Sequence, residues 1–190
     1  MAYYHPQRQQ TFSPEEGVQN FVPGVFRFPP PAPTPESILS GTYRPQDVEC
    51  IEFFPRRSQY CERPSYTITF SVRGHRAPYL REILKDRVLL DGAHDMVMAF
   101  TGWSRTKWVI DWPGHLDDPR GLWLGELTRV ALAKEVGMHI GQFMKNAELV
   151  PPPLGEHSPW ATHSVRFADI RLVALNYYKR VWVPVLALDL

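Results

Sequence analysis

Trp103-Ser104-Arg105-Thr106-Lys107-Trp108-Val109-Ile110-Asp111-Trp112-Pro113-Gly114 is the stretch on which the fold of this chain turns. Trp108, Ile110 and Trp112 alternate with Lys107, Val109 and Asp111. That is the period-two pattern of a strand with one heavily apolar face, and it predicts a strand over 106–112. Pro113 lacks a ladder donor and Gly114 permits a turn, so the strand stops there. Two indoles on one strand face need a body to pack against, so the chain has a folded core.

Working outward, 95–101 alternates as well, with Met96, Met98 and Phe100 on one face, and Ser104-Arg105 turns between these two strands. Further upstream, 48–54 reads as a strand. So does 66–72, with Tyr66, Ile68, Phe70 and Val72 sharing a face until Gly74 breaks it. Pro78 suits the first turn of a helix over 78–89, whose stripe is Leu80, Ile83, Leu84 and Val88. Downstream, 126–146 is the strongest helix, with Thr128 as its N-cap and Leu132, Val136, Ile140, Phe143 and Met144 as its stripe. Gly137 and Gly141 lie four apart, and each costs about 1 kcal/mol against Ala in a helix. They predict a helix seated tightly on the sheet. The segments 165–177 and 181–190 form a hairpin turning near Tyr178-Lys179-Arg180, and Pro184 argues for an edge strand or a bulge.

The order is β-β-α-β-β-α-β-β. Strand pairs separated by helices predict an α+β fold, a mostly antiparallel sheet carrying two helices. The expected core includes Trp108, Trp112, Phe70, Ile83, Val136, Ile140 and Leu172.

A chain of 190 residues accommodates one domain over 41–190 and an arm over 1–40. With 44% hydrophobic and 22% charged residues it has the balance of a soluble globular protein. Its formal net charge of +1 supplies no field for a polyanion, so no nucleic-acid partner is expected. No apolar run approaches the roughly 20 residues that span a bilayer, so no membrane partner is expected. The N-terminus has no basic n-region and no apolar h-region, which predicts a cytoplasmic protein. Cys50 and Cys61 are then reduced thiols; with an export route they would instead bridge neighbouring strands. Their spacing matches no zinc motif, and no cofactor is expected.

The arm differs in kind. Prolines stand at positions 6, 14, 23, 29, 30, 31, 33 and 35, and no lysine occurs before residue 41. Pro29-Pro30-Pro31-Ala32-Pro33 predicts polyproline II. Phe12, Phe21, Phe26 and Phe28 are anchors for which the arm has no core of its own. Each Phe left in water forfeits about 1.5–3 kcal/mol. Ordering the segment costs about 1–2 kcal/mol per residue. The two are comparable, so docking needs a groove on the domain or on a second subunit. The predicted binding residues are Phe21, Phe26, Arg27, Phe28, Pro30 and Pro33. Arg27-x-x-Pro30-x-x-Pro33 also has the spacing of a polyproline ligand for an aromatic-lined groove.

Catalytic signatures are missing: the sequence contains no G-x-S-x-G elbow, P-loop, H-E-x-x-H or G-x-G-x-x-G. His94-Asp95 and His115-x-Asp117-Asp118 are the close groupings of titratable residues. A hydrolytic or metal site built on His94, His115, Asp117 and Asp118 requires that they converge. The bland alternative is a solvated loop. His157 and His163, six apart in a loop, make two ligands and no site. Arg56-Arg57, Arg73-His75-Arg76 and Lys179-Arg180, interleaved with tyrosines, offer phosphate contacts that the overall charge balance argues against.

Residues 105–114, Leu127-Thr128-Arg129-Val130-Ala131-Leu132-Ala133, and Leu172-Val173-Ala174-Leu175-Asn176 followed by Trp182-Val183-Pro184 resemble uncharacterised proteins of mushroom-forming fungi. The resemblance covers roughly 65–190 and not the arm. It implies a soluble, intracellular protein and transfers no site. The residues themselves lead to a non-enzymatic interaction or scaffold protein. It would bind a protein partner or another copy of itself through the arm. A hydrolase or metal-dependent enzyme with a dispersed His/Asp site is the alternative.

Overall fold

The computed structural model describes residues 25–27, 50–115, 119–123, 127–147, 149 and 160–189. Phe21, Phe28, Pro30, Pro33, Asp117, Asp118 and His157 lie outside the described residues, and of Phe26 and Arg27 the backbone alone is described.

In chain order the strands are β1 (Val25–Arg27), β2 (Cys50–Phe53), β3 (Tyr66–Thr69), β4 (Ser71–Val72) and β5 (His75–Arg76). Helix α1 (Leu80–Leu84), β6 (Arg105–Trp108), β7 (Arg120–Trp123), helix α2 (Arg129–Ala147), β8 (Arg171–Tyr178) and β9 (Val181–Asp189) follow. Among the described residues the chain is α+β, with two helices and a mostly antiparallel sheet.

Among the described residues, seven strands join one sheet around β9. β8 lies antiparallel on one side of β9, with β3 outside it. The other side is shared. β2 runs antiparallel along the C-terminal end of β9, pairing Phe53 with Ala187, and β6 runs parallel at its N-terminal end, pairing Trp108 with Trp182. β1 extends the sheet beyond β2 and β7 beyond β6.

Alternation sorts the side chains. One face carries Trp108, Trp182, Leu172, Leu175, Leu186 and Ile68, buried against Leu80 and Ile83 of α1 and Leu132, Val136 and Ile140 of α2. All seven expected core residues sit in this cluster. The opposite face holds two smaller clusters. Ile51, Phe53, Val173, Ala174, Val185 and Ala187 are buried with Ala77, and Tyr60 packs over Val109, Tyr178 and Val183.

Several expectations are corrected. The segment 95–101 is not a strand but a run of turns ending in a 3-10 turn at Ala99–Thr101. Met98 is buried while Met96 and Phe100 are exposed. The carbonyls a strand would need are used elsewhere: those of Ala93 and Asp95 accept the N–H groups of Val130 and Arg129, capping α2. Thr128 completes that cap, its Oγ1 accepting from the Ala131 N–H at 3.3 Å. The helix expected over 78–89 is only α1. Asp86 takes a left-handed conformation (φ 53°) just beyond it, and Pro78 stays outside, its carbonyl accepting the Leu172 N–H. β7 has no counterpart among the strands expected from the sequence. Gly121 and the exposed Trp123 flank its one buried apolar residue, Leu122, so no periodicity marks it.

Pro184 lies not on an edge strand but in central β9, opposite Leu175. Trp182 and Leu186 turn their carbonyls away from β8 to accept from Val109 and Phe54. Pro184 shares their parity, so its missing donor faces the gap between β6 and β2 and costs no ladder bond. A bulge does occur nearby, between Leu172 and Ala174 of β8. Finally, a Cβ on Gly137 would meet Leu84 at 3.2 Å and Leu80 at 3.4 Å. The close neighbour of α2 at this point is α1, not the sheet.

Candidate functional site

Register assembles an aromatic surface at the N-terminal end of β9. Tyr66 pairs with Tyr177, and Tyr177 with Trp182. Residues directly opposite share a face, and these rings stand 6.0 and 5.0 Å apart. Trp182 is fully buried, Tyr177 half-buried and Tyr66 46% exposed, so the row climbs from the core into solvent. The 3-10 turn adds two more rings. Phe100, 57% exposed, lies 5.0 Å from Tyr66, and Trp103, 39% exposed, lies 5.2 Å from Tyr177.

Trp103 is held in place. Its N–H donates to Thr101 Oγ1, whose hydroxyl donates to the Met98 carbonyl, while Gly102 turns the chain at φ 63°. Tyr66–Tyr177, Trp103–Tyr177 and Tyr66–Phe100 are tilted by 43°, 48° and 51°. Tilted rings leave slots between their faces rather than a flat sheet of carbon. Tyr66 was expected on the buried face of a longer strand and Phe100 within a strand. Phe100 instead belongs to the 3-10 turn, which the sequence pattern did not reveal, and Tyr66 stands at the exposed start of β3.

Polar groups on the opposite sheet face are used internally. Asp111 accepts from the Arg57 N–H at 3.0 Å and pairs with its guanidinium. Arg56 donates to the Tyr178 hydroxyl at 2.8 Å, Asn176 Nδ2 donates to the same oxygen at 3.1 Å, and Thr67 donates to Asn176 Oδ1 at 2.9 Å. Burial lowers the Arg56 guanidinium from its ordinary value, opposed by Tyr178 and Asp111. Arg56-Arg57 is therefore spent inside the fold. At the other end of β9, Arg171 pairs with Asp189 and donates to the Tyr79 hydroxyl (3.0 Å) and the Ala77 carbonyl (3.2 Å). Burial raises the Tyr79 hydroxyl, as does its bond to Asp189.

His94 is exposed in the turn that caps the start of α2, and His115 stands edge-on to Phe143 near the end of that helix. From Val130 to Phe143 the helix rises about 20 Å, so the structure does not bring these two histidines together. Among the described residues no three His, Cys, Asp or Glu side chains gather to hold a metal ion. Cys61 is an exposed free thiol.

No family model, curated protein or solved structure matches the chain.

The aromatic surface is thus the feature of the described residues that faces outward with chemistry to offer. Trp123, 66% exposed, is a separate case on the opposite face, already covered by the Arg105 guanidinium 4.1 Å from its ring centre.

Proposed function

We propose that this chain is a non-enzymatic interaction or scaffold protein that associates with a protein partner or with itself through its Pro/Phe-rich arm. The carrying observation is the exposed cluster of Tyr66, Phe100 and Trp103, built on Tyr177 and the buried Trp182. Exposed aromatic groups on a rigid base are the usual anchors of protein interfaces. The arm supports the same reading. Its residues Val25–Arg27 form β1 on the sheet, with Phe26 in register with Ile51 of β2. The reading takes the protein as cytoplasmic and its ligand as protein rather than nucleic acid.

Size exclusion with light scattering tests it on the full chain, on a chain lacking residues 1–40, and on a full-length Phe26→Ser/Phe28→Ser variant. Loss of association, or a lower melting temperature, in both altered chains is the expected result. Identical size, stability and partner binding in all three would overturn it.

A further inference from the structure

We propose that the surface of Tyr66, Phe100, Trp103 and Tyr177 is a polyproline-binding site whose ligand is Pro29-Pro30-Pro31-Ala32-Pro33 of a second copy of this chain. It rests on the self-association proposed above and gives that association a receptor.

The chemistry comes first. Polyproline II is a preformed, unbonded helix whose pyrrolidine rings dock between aromatic side chains. Four splayed rings at 5.0–6.0 Å centre spacings, anchored on β3, β8 and the 99–103 turn, provide such slots. The chain also carries a matching run of four prolines in five residues.

Geometry assigns the second copy. β1 runs parallel to β9, because each lies antiparallel to β2. Arg27 pairs with Cys50, one residue before Ile51, which pairs with Asp189. β1 therefore ends, at Arg27, beside the C-terminal end of β9, while the aromatic surface stands at the N-terminal end beside Trp182. The seven-residue step between Asp189 and Trp182 spans about 23 Å, and the three strand spacings from β1 to β8 add about 14 Å sideways. The direct separation is about 27 Å. Pro31, at the centre of the run, lies four residues past Arg27 and reaches at most about 14 Å. The run cannot cover the aromatic surface of its own chain, but that of a neighbouring molecule can.

Single-stranded nucleic acid is the competing ligand for stacked aromatics. The charge balance of the whole chain, only +1, supplies no field to draw it in, and Lys179 at the adjoining turn is paired with Glu62 at 3.6 Å.

The test uses full-length protein. Trp103→Ala removes the receptor and keeps the arm. Pro30→Ser/Pro31→Ser/Pro33→Ser removes the ligand and keeps the receptor. Sedimentation velocity is expected to show association of the wild type and of neither variant alone. An equal mixture of the two variants should associate, because each supplies what the other lacks. A labelled synthetic peptide of residues 26–35 should bind about tenfold more weakly to Trp103→Ala than to wild type. It should bind Trp123→Ala as wild type does. Tyr66→Ala serves as a second receptor variant should Trp103→Ala melt abnormally.

Failure of the mixture to associate, or peptide binding indifferent to both Trp103 and Tyr66, overturns the proposal. If the proline substitutions weaken association but the aromatic ones do not, arm-mediated association stands and this site falls. If neither set changes it, both fall. An oligothymidylate that binds wild type and not Trp103→Ala, with no binding of the peptide, assigns the surface to nucleic acid and overturns the proposal.

Discussion

Asp111 lies on the face opposite Trp108 and Trp112, with a side chain only 3% exposed, while its partner Arg57 remains 35% exposed. Removing one member of a buried pair costs about 3–5 kcal/mol, and the solvent reaching Arg57 discounts that. Asp111→Ala should therefore lose about 1–3 kcal/mol, read as a lower urea midpoint at unchanged slope. A loss within error of zero would show that the pair behaves as a surface contact. His115 carries a pH dependence of opposite chemistry. Desolvation lowers its folded pKa below the ordinary value. The unfolded chain then binds more protons, so its contribution is present above about pH 6.5 and is lost as pH falls through the folded value. Between pH 7.5 and 5, wild type should lose more stability than His115→Gln; equal losses would show that burial does not govern this histidine. The alternation around Asp111 announced its face, but nothing in the sequence named Arg57 as its partner, because the contact joins segments 54 residues apart.

Helix α2 shows how an element is tuned by what it packs on. A Cβ at Gly141 would meet Phe167 at 3.6 Å, an ordinary contact. Gly141→Ala should then raise stability by about 0.5–1 kcal/mol through helix propensity. At Gly137 the same change presses on Leu84 at 3.2 Å, so the gain shrinks or reverses. Chemical denaturation of the two variants side by side checks the order, and a larger gain at Gly137 would contradict it. The periodicity of α2 was legible because one face is apolar over five turns. The brevity of α1 and the 3-10 turn at Ala99–Thr101 were not. The apolar residues of 95–101 match a strand template, yet the carbonyls of 93 and 95 are committed to capping α2, a long-range demand that no local pattern carries, and α1 stops where Asp86 turns left-handed.

Across the whole molecule, Trp108 joins three parts: it sits on β6, pairs with Trp182 of β9, and stacks 4.9 Å from His139 of α2. It is 2% exposed. Trp108→Ala should cost about 3–5 kcal/mol through lost burial and the cavity left behind. For a chain of this size that lowers Tm by about 6–20 °C. A shift of a degree or two in a thermal scan would mean the core closes over the gap and that β6 is not central.

The sequence by itself determined the α+β class, the long helix and its cap, the C-terminal hairpin and the identity of the core. Each is written in short-range periodicity, propensity and burial preference, which act between residues close along the chain. Tertiary structure alone decided the shared edge of β9, where β2 and β6 meet end to end and leave a gap that tolerates Pro184. It also decided that the exposed rings of Tyr66, Phe100 and Trp103 gather around the half-buried Tyr177. Register between distant strands and the competition for backbone hydrogen bonds are properties of the assembled sheet, so they become visible only when the strands are in place.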